Sequence, residues 1–348
     1  MPRSVLGRLR SLNFWQGFRK IARSDATLTF VLAAAYFQLV WGFKIVNPRN
    51  LQWLLDVQYD LMLYLTTTSY FRFSAWSFPI THFDTLLYPL GTSIAVADAV
   101  PLLAVPFKLF DALLPRGIIQ YFGAWLFVCV WLQALVAKKI FTQMGVSRPL
   151  QWMGTLLIMA DLPQALAIWH FPLWAHFLFL YGFYLVLQPT LPLRRVCLLL
   201  AVAPWVTPYL LVMVLAACTA LFIKHRSAPG LAWQIALAAA VTLGSCFFVG
   251  YFHFQTGVAG EGEYMADLTT FINASGTGRL GPALTPLRDY DEGYGYLGLG
   301  GILLLLLLLA KPLVPAWRRR PLHVPALFAV FGLMALYAVG TNPLFRGH

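Results

Sequence analysis

The organising segment of the chain begins with NPRNLQWLLD at residues 47–56 and continues to residue 110. It brings acidic residues, aromatic residues and prolines together in a chain that is 59% hydrophobic and only 11% charged. A soluble domain carries about 25% charged residues, so this composition predicts a multi-pass membrane protein. Unpaired polar groups at membrane depth are costly and usually functional. We therefore expect this segment to form one wall of an active site at the outer face of the membrane.

The fold class predicted from the apolar runs is an all-α polytopic bundle of about nine spans. Residues 1–26 form a basic cytoplasmic segment, either an amphipathic helix on the membrane surface or a solvated tail, and residues 27–348 form the membrane domain. Its two large outer loops are residues 46–117 and 251–296. Residues 196–223 are interpreted as two short helices meeting at a tip, because prolines interrupt them. The predicted spans are residues 27–45, 118–136, 150–168, 171–187, 196–223 (counted as two), 232–249, 297–310 and 325–339.

The distribution of charge predicts the orientation. The net charge of +12 could indicate a nucleic-acid partner, but basic residues of membrane proteins concentrate in cytoplasmic loops. Most lysines and arginines lie inside if the N-terminus is cytoplasmic and residues 46–117 return to the side that they left. Every acidic residue except Asp25 then lies outside or in the outer half of a span. We therefore predict a plasma-membrane protein that contacts membrane lipids and binds no nucleic acid.

The middle of the first outer loop allows two topologies. Residues 91–114 could cross the membrane as a full span, which would move Lys138 and the basic residues that follow it to the outside. Asp98 and Pro106 would also sit badly in a lipid-facing helix. We therefore expect interfacial or re-entrant helices in this loop.

The cysteines predict neither a disulfide framework nor a zinc site. All four lie in apolar segments without paired or metal-ligand spacing. They are Cys129, Cys197, Cys218 and Cys246.

Two acidic residues near the start of the segment are candidates for chemistry. Asp56 and Asp60 are four positions apart, so they would share one face of a helix lying along the outer membrane surface. We assign a catalytic role to Asp56, as a general base or as a ligand that positions a divalent cation (Mg²⁺ or Mn²⁺), and a substrate-binding role to Asp60. A surface carboxylate without function is the alternative. An apolar stripe on the other side of the helix consists of Leu54, Val57, Leu61 and Leu65.

A histidine marks the next predicted outer turn. His170 could bind a metal, transfer a proton, contact a phosphate or simply anchor the turn at the interface. Asp161 lies deeper in the preceding span, where it should face the bundle interior and find a partner.

Three further candidates come from the remaining outer segments. Thr207-Pro208-Tyr209 lies at the tip between the two short helices. Tyr209 would then bring a phenol to the outer cavity. The alternative is that the motif only breaks the helix. Arg279 and Arg288 in the second outer loop could clamp a phosphate or face lipid headgroups.

Three strings carry a family resemblance: residues 47–56, residues 91–102 (GTSIAVADAVPL) and residues 292–300 (EGYGYLGLG). They resemble an uncharacterised bacterial family of large multi-pass proteins that is similar to GT-C-type glycosyltransferases. In such enzymes a span leads to a large outer loop with an essential acidic residue near its start. A second acidic or polar site lies in the next outer loop, and a polyprenyl-phosphate sugar binds between them. The resemblance implies a location in the bacterial inner membrane.

The resemblance places Asp56 at the first of these positions and His170 at the second. It implies an inverting glycosyltransferase that uses a lipid-phosphate donor at the periplasmic face. Asp98 and His170 would line the donor pocket, and Arg279 or Arg288 would hold the phosphate. The first loop has no Asp-x-Asp motif, so the sequence does not specify a metal. Family members continue into further spans and an outer domain, which implies that this chain is a shortened form.

A second hypothesis is non-enzymatic: a transporter or flippase for a lipid-linked glycan, or a scaffold subunit of an envelope assembly. A transport path requires charged residues within several spans or inverted repeats. Asp161 is the one such residue in the sequence, and no repeat is found. The acidic residues lie on one side, which favours a one-sided active site.

Overall fold

The computed structural model of the protein describes residues 24–55, 59–160 and 170–253, together with residues 272, 302, 303 and 306. The α-helices are α1 (Asp25–Val40), α2 (Gln52–Leu55), α3 (Tyr59–Phe73), α4 (Pro101–Leu109), α5 (Phe122–Gln143), α6 (Arg148–Met159), α7 (His176–Val186), α8 (Leu193–Val202), α9 (Pro208–Lys224) and α10 (Leu231–Val249). Short 3₁₀ helices lie at Phe43–Val46, Asp111–Leu113, Phe171–Trp174 and Ala203–Trp205. Strands β1 (His82–Phe83) and β2 (Thr92–Ser93) pair in antiparallel orientation, with His82 opposite Ser93.

Two helices in this part of the chain, α5 and α10, are long and apolar enough to cross a membrane. Helix α1, helix α9 and the stretch from Phe171 to Val186 are apolar but shorter. The structure thus confirms a mostly helical protein with two helices of membrane-spanning length and composition. The bundle of about nine spans stays a prediction.

Helix α5 is the centre of the bundle, since α1, α6 and α7 all pack against it. At one end of the α1–α5 pair, Lys138 Nζ lies 2.8 Å from Asp25 Oδ2 and donates to Thr142 Oγ1 at 3.0 Å. The sequence predicted Lys138 in an inner loop. The predicted span ended at residue 136, whereas α5 continues to Gln143, so Lys138 is a buried residue of this helix and not part of a loop.

The opposite end of the α1–α5 pair closes the first outer loop. Gln120 Nε2 donates to Ile45 O at 2.7 Å and to Asn47 O at 2.9 Å. Gly123 permits this approach, because a Cβ there would lie 1.9 Å from Ile45 O. Residues 46–117 therefore leave the bundle and return to it at the same end, as the sequence predicted.

Residues 91–114 do not form one long helix. They contain β2, the nine-residue helix α4 and a 3₁₀ turn at Asp111–Leu113. A nine-residue helix is about 14 Å long, less than half the thickness of a bilayer core. The alternative topology, in which this stretch crosses the membrane as a full span, is therefore wrong.

Three residues of the predicted apolar stripe face the protein, and the fourth, Val57, lies outside the described residues. Leu54, Leu61 and Leu65 are between 0 and 6% exposed and belong to the hydrophobic core. Other apolar side chains of α3, among them Met62 and Phe73, are exposed. A stripe turned toward the membrane surface is therefore wrong, because packing against the bundle buries these leucines instead.

Arg72, in the last turn of α3, fixes the returning end of the loop. Its Nε lies 2.5 Å from Asp111 Oδ1, and its Nη atoms donate to Gly117 O and Pro115 O, each at 3.0 Å. The arginine is 8% exposed, and each of its three side-chain nitrogens donates a hydrogen bond within the protein. The ion pair therefore stabilises the conformation of the returning end of the loop.

The break predicted within residues 196–223 is confirmed. Helix α8 ends at Val202 and α9 begins with Pro208 in its first turn, where the missing N–H of proline costs nothing. Thr207 is thereby held in an extended conformation (φ −167°, ψ 149°) directly before α9. Its hydroxyl is free to reach beyond its own helix.

Candidate functional site

A carboxylate of the first outer loop meets a hydroxyl from the α8–α9 tip. Thr207 Oγ1 donates a hydrogen bond to Asp98 Oδ1 over 3.2 Å. Thr207 is fully buried, whereas Asp98 is partly buried. The bond joins residues 109 positions apart, so the fold of the whole bundle creates it.

The backbone that carries Asp98 is strained. Asp98 has a φ of 50° and Val100 a φ of 53°, both in the left-handed region. This region is costly for any residue with a side chain and most of all for a β-branched one. The Tyr121 hydroxyl donates to Ala99 O between them and fixes the turn. Strained residues persist only where the surroundings impose them, and they cluster at functional sites.

Two more of the sequence-predicted residues act on the charge of Asp98. Burial raises the pKa of Asp98 from 3.8 to about 6, and the negative charge of Asp60 adds to the increase. The hydrogen bond from Thr207 and the charge of His170 act in the opposite direction. Asp60 and His170 are therefore near enough to Asp98 for their charges to act on its carboxyl group, and their roles in a site stay predictions.

Aromatic contacts hold the elements that carry these side chains. Trp125 Nε1, in the first turn of α5, donates to Phe171 O at 2.8 Å and so fixes the residue that follows His170. Tyr64 packs on the ring of Phe171 with centroids 5.4 Å apart. Asp60 precedes Tyr64 by four residues in α3, so both lie on one face of that helix. The elements that carry Asp60, Asp98 and His170 thus meet at the beginning of α5.

Tyr251 closes the site from the end of α10. Its hydroxyl donates to Pro204 O at 2.8 Å. Burial raises the pKa of Tyr251, and the charge of Asp98 raises it further, so the phenol stays protonated beside the carboxylate. Gly250 ends α10 with a φ of 95°, which redirects the chain toward the site. Sequence reasoning missed Tyr251, because a tyrosine after a span fits the interfacial aromatic belt equally well.

Residues 30–348 match the family described as a domain of unknown function, DUF6311. The chain belongs to this family. No curated protein and no solved structure matches it.

The remaining predicted site residues of this DUF6311 protein stand apart from the Asp98 cluster or outside the described ranges. Tyr209 lies in the first turn of α9 and is 61% exposed. Thr207 is the residue of its motif that bonds Asp98. The proposed catalytic residue Asp56 and the phosphate-binding residues Arg279 and Arg288 fall outside the part that the structure describes, so their roles stay predictions.

Metal binding has no ready site in the described ranges of the DUF6311 chain. No three His, Cys, Asp or Glu side chains there are grouped to hold an ion. The four cysteines are all free thiols in the structure. A Mg²⁺ or Mn²⁺ ion therefore remains a prediction that depends on Asp56.

Proposed function

We propose that this protein is a membrane glycosyltransferase that moves a sugar from a polyprenyl-phosphate donor to an acceptor hydroxyl at the outer face. The observation that carries the proposal is the meeting of Asp98 with His170, Asp60 and Thr207 at one end of an apolar helix bundle. An inverting glycosyl transfer needs a general base for the acceptor hydroxyl, and a carboxylate can supply it. They lie at the end where the first outer loop both leaves and re-enters the bundle.

In this proposal Asp98 takes the role of general base that the sequence analysis gave to Asp56. A base works best when its pKa lies near the working pH, since it must be ionised and still attract a proton. A carboxyl group with a pKa of about 6 is mostly ionised at neutral pH and is a much better base than an ordinary aspartate. Thr207 orients Oδ1, which leaves the other carboxylate oxygen for the acceptor hydroxyl.

The proposed transfer forms one bond and breaks another at the anomeric carbon of the sugar. The acceptor oxygen loses its proton to Asp98 and attacks the anomeric carbon of the sugar. The bond between that carbon and the phosphate oxygen breaks at the same time, and the lipid phosphate leaves with the electron pair. Attack from the side opposite the leaving group inverts the anomeric centre. His170, whose charge acts on Asp98, is the proposed donor to the phosphate as its negative charge grows.

The lipid donor requires a membrane setting, which α5 and α10 support. We place the chain in the bacterial inner membrane as a multi-pass protein with a cytoplasmic N-terminus. In this orientation the Asp25–Lys138 pair lies at the inner end of the bundle, and the Asp98 cluster lies at the outer end. Arg279 and Arg288 are the proposed ligands of the donor phosphate.

A turnover assay in lipid nanodiscs tests the function. The purified protein is supplied with undecaprenyl-phosphate sugars carrying radiolabelled hexoses and with envelope extract as the source of acceptors. Release of free lipid phosphate is expected, with a loss of at least a hundredfold in Asp98→Asn, the lower range for removal of a general base. Asp84→Asn is the matched control, because Asp84 is an exposed carboxylate of the same loop. Equal turnover by Asp98→Asn and the unaltered protein would overturn the mechanism, and no turnover of any donor would favour the scaffold or transport hypothesis.

A further inference from the structure

The β1–β2 hairpin ends in a tip, residues 84–91, whose composition is unusual for a hairpin loop. Leu87, Tyr88 and Leu90 are 66%, 82% and 86% exposed, respectively. Loops of this kind are normally built from glycine, asparagine and aspartate, which suit turns and water. A contiguous group of exposed large apolar side chains marks an interaction surface.

The hairpin stem is fastened to the end of α10. The Thr81 hydroxyl donates to the carbonyl oxygen of Val249, the last residue of that helix. Thr81 Oγ1 and Ser93 Oγ are also 2.8 Å apart, which ties the two strands of the stem together. The hairpin therefore projects from the end of a helix that is long enough to cross a bilayer.

Exposed apolar side chains join the flank of α10 to the hairpin stem. Leu243, Phe247 and Phe248 are exposed along the last two turns of α10. Phe78, just before the stem, packs its ring on Phe247 and Phe248, with centroids 5.3 and 6.4 Å apart, and is itself 54% exposed. The medium that surrounds the flank of α10, lipid or water, therefore also contacts the base of the hairpin.

We propose that the hairpin tip inserts into the lipid headgroup layer of the leaflet in which α10 ends. This inference rests on the membrane location given under the proposed function. Leucine inserts into the acyl boundary, and tyrosine places its ring there while its hydroxyl reaches the headgroups. The tip would hold the β1–β2 hairpin, and the loop leading from it to Asp98, at a fixed depth beside the lipid donor.

The chemistry of the tip specifies the kind of lipid contact. Residues 84–91 contain no lysine or arginine, and Asp84 is the single charged residue, at the base. Binding therefore depends on apolar insertion and not on attraction to anionic lipids, unlike that of basic amphipathic helices. Insertion should be equally deep in zwitterionic and anionic bilayers.

Nitroxide accessibility in nanodiscs of phosphatidylcholine tests the inference on the full chain. Labels are placed on Leu90→Cys at the tip, on Leu243→Cys at the flank of α10, and on Ser227→Cys, an exposed polar position between α9 and α10. Signal from the four native thiols is measured on the unsubstituted protein and subtracted. Paramagnetic relaxation is then compared between oxygen, which partitions into lipid, and a water-soluble nickel chelate.

The tip label is expected to favour oxygen over the nickel chelate severalfold more than the Ser227→Cys label does, and to do so equally after addition of phosphatidylglycerol. Nickel access at the tip equal to that at Ser227→Cys would overturn the inference. Protection from both reagents would also overturn it, because it would show that protein covers the tip. If Leu243→Cys reports lipid while Leu90→Cys reports water, only the tip inference fails. If both report water, the membrane location fails as well.

Discussion

Replacing Asp98 by asparagine should stabilise the protein at neutral pH while removing its activity. Burial raises the pKa of Asp98 from 3.8 to about 6, so the fold disfavours the ionised form. A pKa change of that size corresponds to a free-energy difference of about 3 kcal/mol between the protonated and ionised forms. Asparagine has the same shape, can accept the hydrogen bond from Thr207 and carries no charge to desolvate. Because Asp98 is only partly buried, solvent screening lowers the expected gain to about 1–3 kcal/mol.

The sign of the effect depends on pH in a defined way. Between about pH 4 and pH 6 the folded protein keeps a proton on Asp98 that the unfolded chain has already lost, so stability falls as the pH rises. The contribution is fully present below the unfolded pKa and fully lost above the folded one. Asp98→Asn should therefore match the unaltered protein near pH 3.8 or below and exceed its stability above pH 6.

Thermal unfolding in detergent at several pH values measures this difference. The midpoint of Asp98→Asn should lie several degrees above that of the unaltered protein at pH 7.5, and the gap should close toward pH 4. Asp84→Asn, which removes an exposed carboxylate from the same loop, should leave the midpoint unchanged at both pH values. A loss of stability in Asp98→Asn at pH 7.5 would refute the reasoning, because it would make Asp98 a structural acceptor and not a carboxylate retained at a cost in stability.

Three further substitutions test the site and its frame. Thr207→Val removes the hydrogen bond that favours ionised Asp98, so the acidic limb of the pH–rate profile should move to higher pH, whereas Thr207→Ser should preserve the profile. Arg72→Met leaves two carbonyl oxygens and the partly exposed Asp111 carboxylate without their donor and should cost about 1–3 kcal/mol in chemical unfolding, the range for leaving hydrogen-bonding groups unsatisfied. Gly123→Ala forces a Cβ to within 1.9 Å of a carbonyl oxygen and should lower the yield of folded protein, whereas Gly244→Ala, with open space around it, should express normally.

The parts of the fold that sequence could predict are those set by long-range composition. Run length and charge predicted that residues 46–117 return to their starting end, and the Gln120 bonds confirm it. Proline chemistry predicted the break before α9. The interior of the first outer loop could not be predicted, because its elements are short and its periodicity is weak. The apolar stripe of α3 was recognised, but periodicity alone does not distinguish a protein core from a membrane surface.

The candidate site was predictable to the extent that it consists of ionisable residues in an apolar chain. Asp60, Asp98 and His170 were each singled out because a charge or an imidazole is costly in such surroundings. Thr207 and Tyr251 act through neutral hydroxyl groups. Burying a hydroxyl group costs less free energy than burying a charge, so these residues are harder to recognise in the sequence. Their roles depend on contacts between distant segments, which only the fold supplies.

Among the described residues, several buried charged groups are matched by partners that serve the fold. Lys108 is buried, but its ammonium donates to Ser74 Oγ at 2.8 Å and to Ala75 O at 2.9 Å and lies 4.2 Å from the centre of the Phe71 ring. Arg72 and Lys138 are likewise matched to carboxylates and oxygens. Asp98 differs from them, because it lies on strained backbone, beside a second carboxylate, with a pKa near the pH at which it would work. Perturbed pKa values cluster at functional sites, so Asp98 is the residue to which the proposed reaction assigns the proton transfer.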